Sequence, residues 1–149
     1  MANQRKLLLL ERLLTVQRVK RIGAEVTLAE AQQREREVQC AEDAARADST
    51  AARDEWLDHV AQPSFSLDLL RNLSWHVLQR DEILQEAERV TTRHGEITAA
   101  RRNLWQIAEA QVRHSEVSAR TLHRALDRKR EEKRLAEMSD RMTFGALHK

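Results

Sequence analysis

The chain has 149 residues, 34% of them charged and 3% aromatic, with three glycines, one proline, one cysteine and no tyrosine. A compact globule of this length carries more aromatic residues and several turn signals, so the composition argues for a long-helix protein and against a globular enzyme, a disulfide scaffold or a cysteine zinc site. The formal net charge of +2 conceals a segregated pattern, with +5 on residues 1–21, −6 on 25–58, −2 on 68–96 and +5 on 97–149.

At the start of the chain, Leu7 to Leu10 follow Arg5 and Lys6 in the manner of a leader. Glu11 and Arg12 end that apolar run after four residues, too short for a signal core or a membrane span. The lone Cys40 suits a reducing compartment. A soluble cytosolic protein is expected.

A first helix is expected over about 4–61, weakened only by Gly23. Its apolar positions step through Leu9, Leu13, Val16, Val19, Gly23 and Val26, then Gln33, Cys40, Ala44, Ala47 and Ala51, at spacings of mostly three, four or seven. Pro63, the only proline, disfavours helix in the residue before it and places a turn at about 62–65. Ser64 or Ser66 can cap a second helix over about 66–142, with Asp68 in its first turn, and a short tail follows at 143–149.

The second helix carries the strongest pattern. Leu70, Val77, Leu84, Thr91, Thr98, Trp105, Val112, Ala119 and Leu126 stand at seven-residue steps, seven of them apolar. A row that holds its phase this long demands one continuous helix with a helical partner. The short turn supplies that partner from the same chain. The expected fold is therefore all-α, a single domain over 1–149 in which two long helices form an antiparallel coiled-coil hairpin and the second is longer. At about 1.5 Å per residue the row makes a rod of roughly 85 Å. A turn centred near residue 64 makes facing residue numbers sum to about 128, which sets Leu9 on Ala119, Val16 on Val112, Gly23 on Trp105, Ala44 on Leu84 and Ala51 on Val77. Glu30 and Glu37 then meet Thr98 and Thr91, and with His94 and Arg101 they mark a loose polar layer.

No catalytic pattern stands out. The six histidines lack HxxxH or HExxH spacing, there is no glycine-rich phosphate loop, and the carboxylates belong to solvated faces. No enzyme activity, metal or cofactor is expected. Two tracts remain. Residues 124–141 are rich in arginine and lysine interleaved with acids, a pattern of pairs such as Asp127 with Arg130 and Lys133 with Glu137 that argues against nucleic acid and suits an acidic protein surface. In Leu73-Ser74-Trp75-His76-Val77-Leu78, Trp75 falls on the outer side of the helix, where it is either a contact residue or is covered by Trp56 or Phe65.

The segments Leu10-Glu-Arg-Leu-Leu-Thr-Val-Gln-Arg-Val-Lys-Arg-Ile and Arg128-Lys-Arg-Glu-Glu-Lys-Arg-Leu-Ala-Glu-Met-Ser-Asp-Arg141, with the central turn, resemble the FliJ and YscO family of coiled-coil stalks of type III export ATPases, the flagellar branch being favoured. The resemblance covers nearly the whole chain. It implies a stalk that inserts into the hexameric export ATPase, couples it to the membrane export gate and helps recycle export chaperones, peripheral at the cytoplasmic side of the inner membrane. It implies ATPase contacts at Arg12, Arg18, Lys20, Arg21, Arg124, Arg128, Arg130 and Arg134, and gate contacts at Leu73, Trp75, His76, Val77 and Arg80. A monomer without nucleic-acid partners or membrane insertion is expected. The alternative is a cytosolic scaffold that homodimerises through rows at Ile83, Val90, Ile97 and Leu104, which flank the main row.

Overall fold

The computed structural model describes residues 2–64 and 66–146, with side chains over 4–64 and 66–142. It is an all-α helical hairpin of α1 (Ala2–Val60) and α2 (Leu67–Ala146). No strand occurs among the described residues. The turn forms where Pro63 requires it. The backbone N–H groups of Ala61 and Gln62 close α1 on the carbonyls of Leu57 and His59, at 3.0 and 3.3 Å. Ser66, and not Ser64, caps α2: its carbonyl accepts from Leu70 N–H at 2.9 Å and its hydroxyl from Leu69 N–H at 3.4 Å. Asp68 places a carboxylate in the first turn, favourable to the helix dipole. Phe65 lies outside the described residues, as do 147–149; α2 itself runs to Ala146, past its expected end near 142.

The chain divides into two compact units. The terminal unit combines Met1–Ala24 with Trp105–Lys149, and the turn unit spans Glu25–Leu104. In each, residue numbers rise along α1 as their contacts fall along α2, so the helices run antiparallel within both.

On α2 the nine-position row is the inward one, with Thr98, Val112 and Ala119 buried and the other six half-buried. On α1 the expected phase is wrong. Leu9, Leu13, Val16, Val19 and Val26 are exposed, and so are Gly23, Gln33, Cys40, Ala44, Ala47 and Ala51. The inward rows lie one residue further on: Leu10, Gln17, Ala24, Ala31, Val38, Ala45, Ala52 and His59, with Leu7, Leu14, Arg21, Leu28, Glu35, Glu42, Ser49 and Trp56. Both rows repeat every seven residues, as a two-helix seam requires.

The register shifts accordingly. In the turn unit, Thr91 donates to Val38 O at 3.4 Å, a pair whose numbers sum to 129, and Ser49–Asp81 and Trp56–Ser74 sum to 130. In the terminal unit Arg21–Glu109 also sums to 130. Gly23 therefore does not pack on Trp105. A Cβ added at Gly23 would meet nothing within 4 Å, and Ala24 is the inward residue at that height. Likewise Glu30, Glu37 and Arg101 are exposed and form no central layer, whereas Thr98 is only 2% exposed. The acids that turn inward are Glu35 and Glu42.

The physical reason is that six members of the true α1 rows are polar: Gln17, Arg21, Glu35, Glu42, Ser49 and His59. Most of these are compensated by partners. Arg21 Nη1 reaches Glu109 at 3.3 Å, Glu42 accepts from Arg46 at 2.6 Å, and Ser49 Oγ donates to Asp81 at 2.6 Å. Among the described residues the buried apolar set is Ala45, Ala52, Val112 and Ala119, small residues that bring the helices close while burying little area.

Candidate functional site

In the terminal unit the cations fall into two groups. Arg18 pairs with Glu116 at 2.8 Å and the inward-facing Arg21 with Glu109 at 3.3 Å, so these two serve the hairpin itself. Arg18 is also the main reason that the Glu116 carboxyl sits below its ordinary pKa. His123 lies 3.4 Å from Glu11. Arg12, Lys20, Arg124, Arg128 and Arg134 are exposed and have no ion-pair partner among the described residues. Every described side chain from 127 to 142 is exposed. In that stretch Arg130 pairs with Asp127 at 3.6 Å and Lys133 with Glu137 at 3.9 Å, the two helix-surface pairs read from the spacing. Of the eight cations named from the resemblance, the structure thus leaves Arg12, Lys20, Arg124, Arg128 and Arg134 unengaged.

The turn unit carries an apolar groove of about 460 Å³ lined by Arg53, Trp56, Leu57, Ser74, Val77 and Leu78. Trp56 is half-buried at its base, and its indole N–H donates to Ser74 Oγ at 2.9 Å. That hydroxyl donates in turn to Leu70 O at 2.8 Å. Trp75 stands beside the groove, 69% exposed, so Trp56 does not cover it. The other residues of this tract divide by their place on the helix. Leu73 and Val77 are half-buried in the seam. Arg80 donates to His76 Nε2 at 3.2 Å and pairs with Asp48 at 3.2 Å, so those two side chains are held by their own unit. The outward surface therefore consists of Trp75, Leu78 and Leu57. Leu57 was missed by the sequence reading, because it becomes part of this surface only when α1 and α2 are aligned in the observed register.

The groove is closed on one side by ions. Arg53 forks onto both carboxylate oxygens of Asp81 at 2.8 and 2.9 Å. Hydrogen bonds from Ser49 and then Arg53 hold the Asp81 carboxyl below its ordinary pKa. The Glu42 carboxyl is also lowered, first by the neighbouring Thr91 hydroxyl and then by Arg46, which donates to it at 2.6 Å. Among the described residues no group of three His, Cys, Asp or Glu side chains is placed to hold a metal ion, and no helix is long and apolar enough to cross a membrane.

No protein-family model, curated protein or solved structure matches the chain.

Proposed function

We propose that this protein is a non-enzymatic coiled-coil adaptor of a type III protein export apparatus, which engages the hexameric export ATPase through its terminal unit. One observation carries the reading: beyond the His123–Glu11 contact, α2 continues as an arginine-rich segment in which every described side chain but Leu126 is exposed and Arg124, Arg128 and Arg134 have no acidic partner among the described residues. Unpaired cations at this density steer encounter with an acidic surface and leave the rate and salt dependence of docking under electrostatic control. Arg12 and Lys20 add to the same field from α1.

On this reading the turn unit supplies a second, apolar contact for the export gate, made by Trp75 with Leu78 and Leu57, while Leu73, Val77, His76 and Arg80 shape the helix beneath it. An exposed tryptophan beside an apolar groove is the side chain most suited to anchor such a contact. Escort of export chaperones, and a location at the cytoplasmic side of the inner membrane, belong to the same proposal.

The test is co-elution with the purified export ATPase of the same organism. Wild-type protein is expected to bind and to promote hexamer assembly, and Arg124→Glu/Arg128→Glu/Arg134→Glu is expected to lose both while keeping its helical circular dichroism. Absence of binding by the wild-type chain would overturn the proposal.

A further inference from the structure

In the terminal unit the ion pairs at the edge of the helix interface occupy one flank, and in the turn unit Arg46–Glu88 and Arg53–Asp81 occupy that flank while Arg80–Asp48 lies on the other. In the terminal unit Glu11 and Arg18 follow the inward Leu7 and Leu14 by four positions, and their partners His123 and Glu116 follow Ala119 and Val112 by four. In the turn unit Arg46 and Arg53 stand the same way to Glu42 and Ser49, and Glu88 and Asp81 to Leu84 and Val77.

The opposite flank is set by positions one residue before the inward ones, and it is apolar on α1 of the terminal unit and on α2 of the turn unit. In the terminal unit it presents Leu9, Leu13 and Val16, with Leu8, Val19 and Ile22 beside them, all 47–65% exposed. The four- and three-residue steps from Leu9 to Leu13 to Val16 are those of a coiled-coil seam, and no helix of the chain covers them. In the turn unit the same flank of α2 carries Ile83, Val90, Ile97 and Leu104 at seven-residue steps, Val90 half-buried and the others exposed.

The charges on these two surfaces are complementary. In the terminal unit the seam lies among Lys6, Arg12 and Lys20, and Glu11, the only acid in residues 4–24, is on the ion-pair flank. In the turn unit the matching α1 positions beside that row include Glu30 and Glu37, both exposed and in no ion pair among the described residues, with Arg34 the cation between them. A basic apolar seam and an acid-flanked apolar row thus occur on one chain, each lacking a partner.

We infer that the occupant of both is a second copy of this chain. The terminal unit of one copy docks its Leu9-Leu13-Val16 seam on the Ile83-Val90-Ile97-Leu104 row of the other, with Lys6 and Lys20 against the glutamates of the turn unit. In a two-fold dimer the contact is made twice. Seam spacing selects a helix as the occupant, and the match of +5 on residues 1–21 with −6 on residues 25–58 selects this chain. The inference does not rest on the export-adaptor reading.

Size-exclusion chromatography with light scattering on the full chain, at rising concentration and in low and high salt, tests it. The expected result is a two-chain mass whose dissociation constant rises with salt. Leu13→Asp/Val16→Asp should raise that constant by about tenfold or more, the cost of carrying an unpaired carboxylate into a helix seam. Because both positions are exposed within the chain, thermal unfolding of the variant followed at low concentration should match that of the wild-type monomer. A charge-swap pair, Lys6→Glu/Lys20→Glu mixed with Glu30→Lys/Glu37→Lys, should form a mixed dimer more readily than either self-associates. A single-chain mass at all concentrations, a dimer indifferent to Leu13→Asp/Val16→Asp, or a single chain that sediments with phosphatidylglycerol vesicles would each overturn the inference.

Discussion

Gly23 and Thr98 decide between two readings of the seam. The spacing of apolar residues on α1 sets Gly23 against the Trp105 ring, where an added methyl would clash. In the structure a Cβ at Gly23 meets open space, and one at Gly95 meets only Glu35 Oε1 at 3.7 Å, an ordinary contact. Gly23→Ala should therefore stabilise the protein by about 0.5–1 kcal/mol, the difference in helix propensity, seen as a higher midpoint in thermal or urea unfolding. A loss of stability would restore the Gly23–Trp105 packing. Thr98 offers the converse case. It is 2% exposed and its hydroxyl has no hydrogen-bond partner, whereas Thr91 donates to the Ala87 and Val38 carbonyls at 3.0 and 3.4 Å. Thr98→Val keeps the shape and removes an orphaned hydroxyl, so it should raise stability by about 1 kcal/mol. Thr91→Val forfeits made bonds and should not. Equal effects of the two substitutions would contradict this assignment.

At the scale of the helices, the carboxylates that join them make stability depend on pH in one direction. Glu42, Asp81 and Glu116 all have pKa values below the ordinary 4.5, 3.8 and 4.5, through the neighbouring Thr91 hydroxyl and Arg46, through Ser49 and Arg53, and through Arg18. A lowered folded-state pKa contributes stability that is fully present above the unfolded value and is lost as pH falls through the folded one. The thermal midpoint should be level down to about pH 5 and fall below about pH 4, as these carboxylates take up protons. Arg53→Met should flatten the fall by removing part of the Asp81 contribution. A midpoint that rose on acidification would contradict the ion-pair assignments.

The same ion pairs explain how far the sequence could be read. Pro63 and Ser66 announced the turn, and the nine-position row announced the inward face of α2, because leucine, valine and tryptophan repeat there with few interruptions. α1 offered a competing signal. Its outer face holds Leu9, Leu13, Val16 and Val26, while its inner rows include Gln17, Arg21, Glu35 and Glu42. Hydrophobicity therefore favoured the wrong face by one residue. What would have found the right one is the strict seven-residue recurrence of Ala24, Ala31, Val38, Ala45 and Ala52, which survives when side-chain size is ignored. The contact residues were less legible. Cationic character marked the terminal segment, but which arginines are consumed by Glu109 and Glu116 depends on the register. Trp75 was placed on the outer side of α2 by spacing alone, and the groove beside it appears only when Trp56 and Leu57 are brought opposite Ser74 and Leu78.

At the scale of the whole molecule, the two apolar surfaces and the unpaired cations connect the proposed dimer to the proposed adaptor. The Leu9-Leu13-Val16 seam lies beside Arg12 and Lys20, so under the two proposals an ATPase that gripped the terminal unit would compete with the second copy for the same side of α1. The exposed segment from 127 to 142 is not required by the proposed dimer and would be the first contact of the proposed ATPase. The most direct measurement is steady-state ATP turnover by the export ATPase of the same organism, titrated with this protein at low and high salt. The proposal predicts that wild-type chain changes turnover at low salt in a saturable way. Arg124→Glu/Arg128→Glu/Arg134→Glu should abolish the change and Leu13→Asp/Val16→Asp, if the chain is freed from its partner copy, should act at lower concentration. Turnover and hexamer assembly that ignore the wild-type chain at every concentration would contradict it.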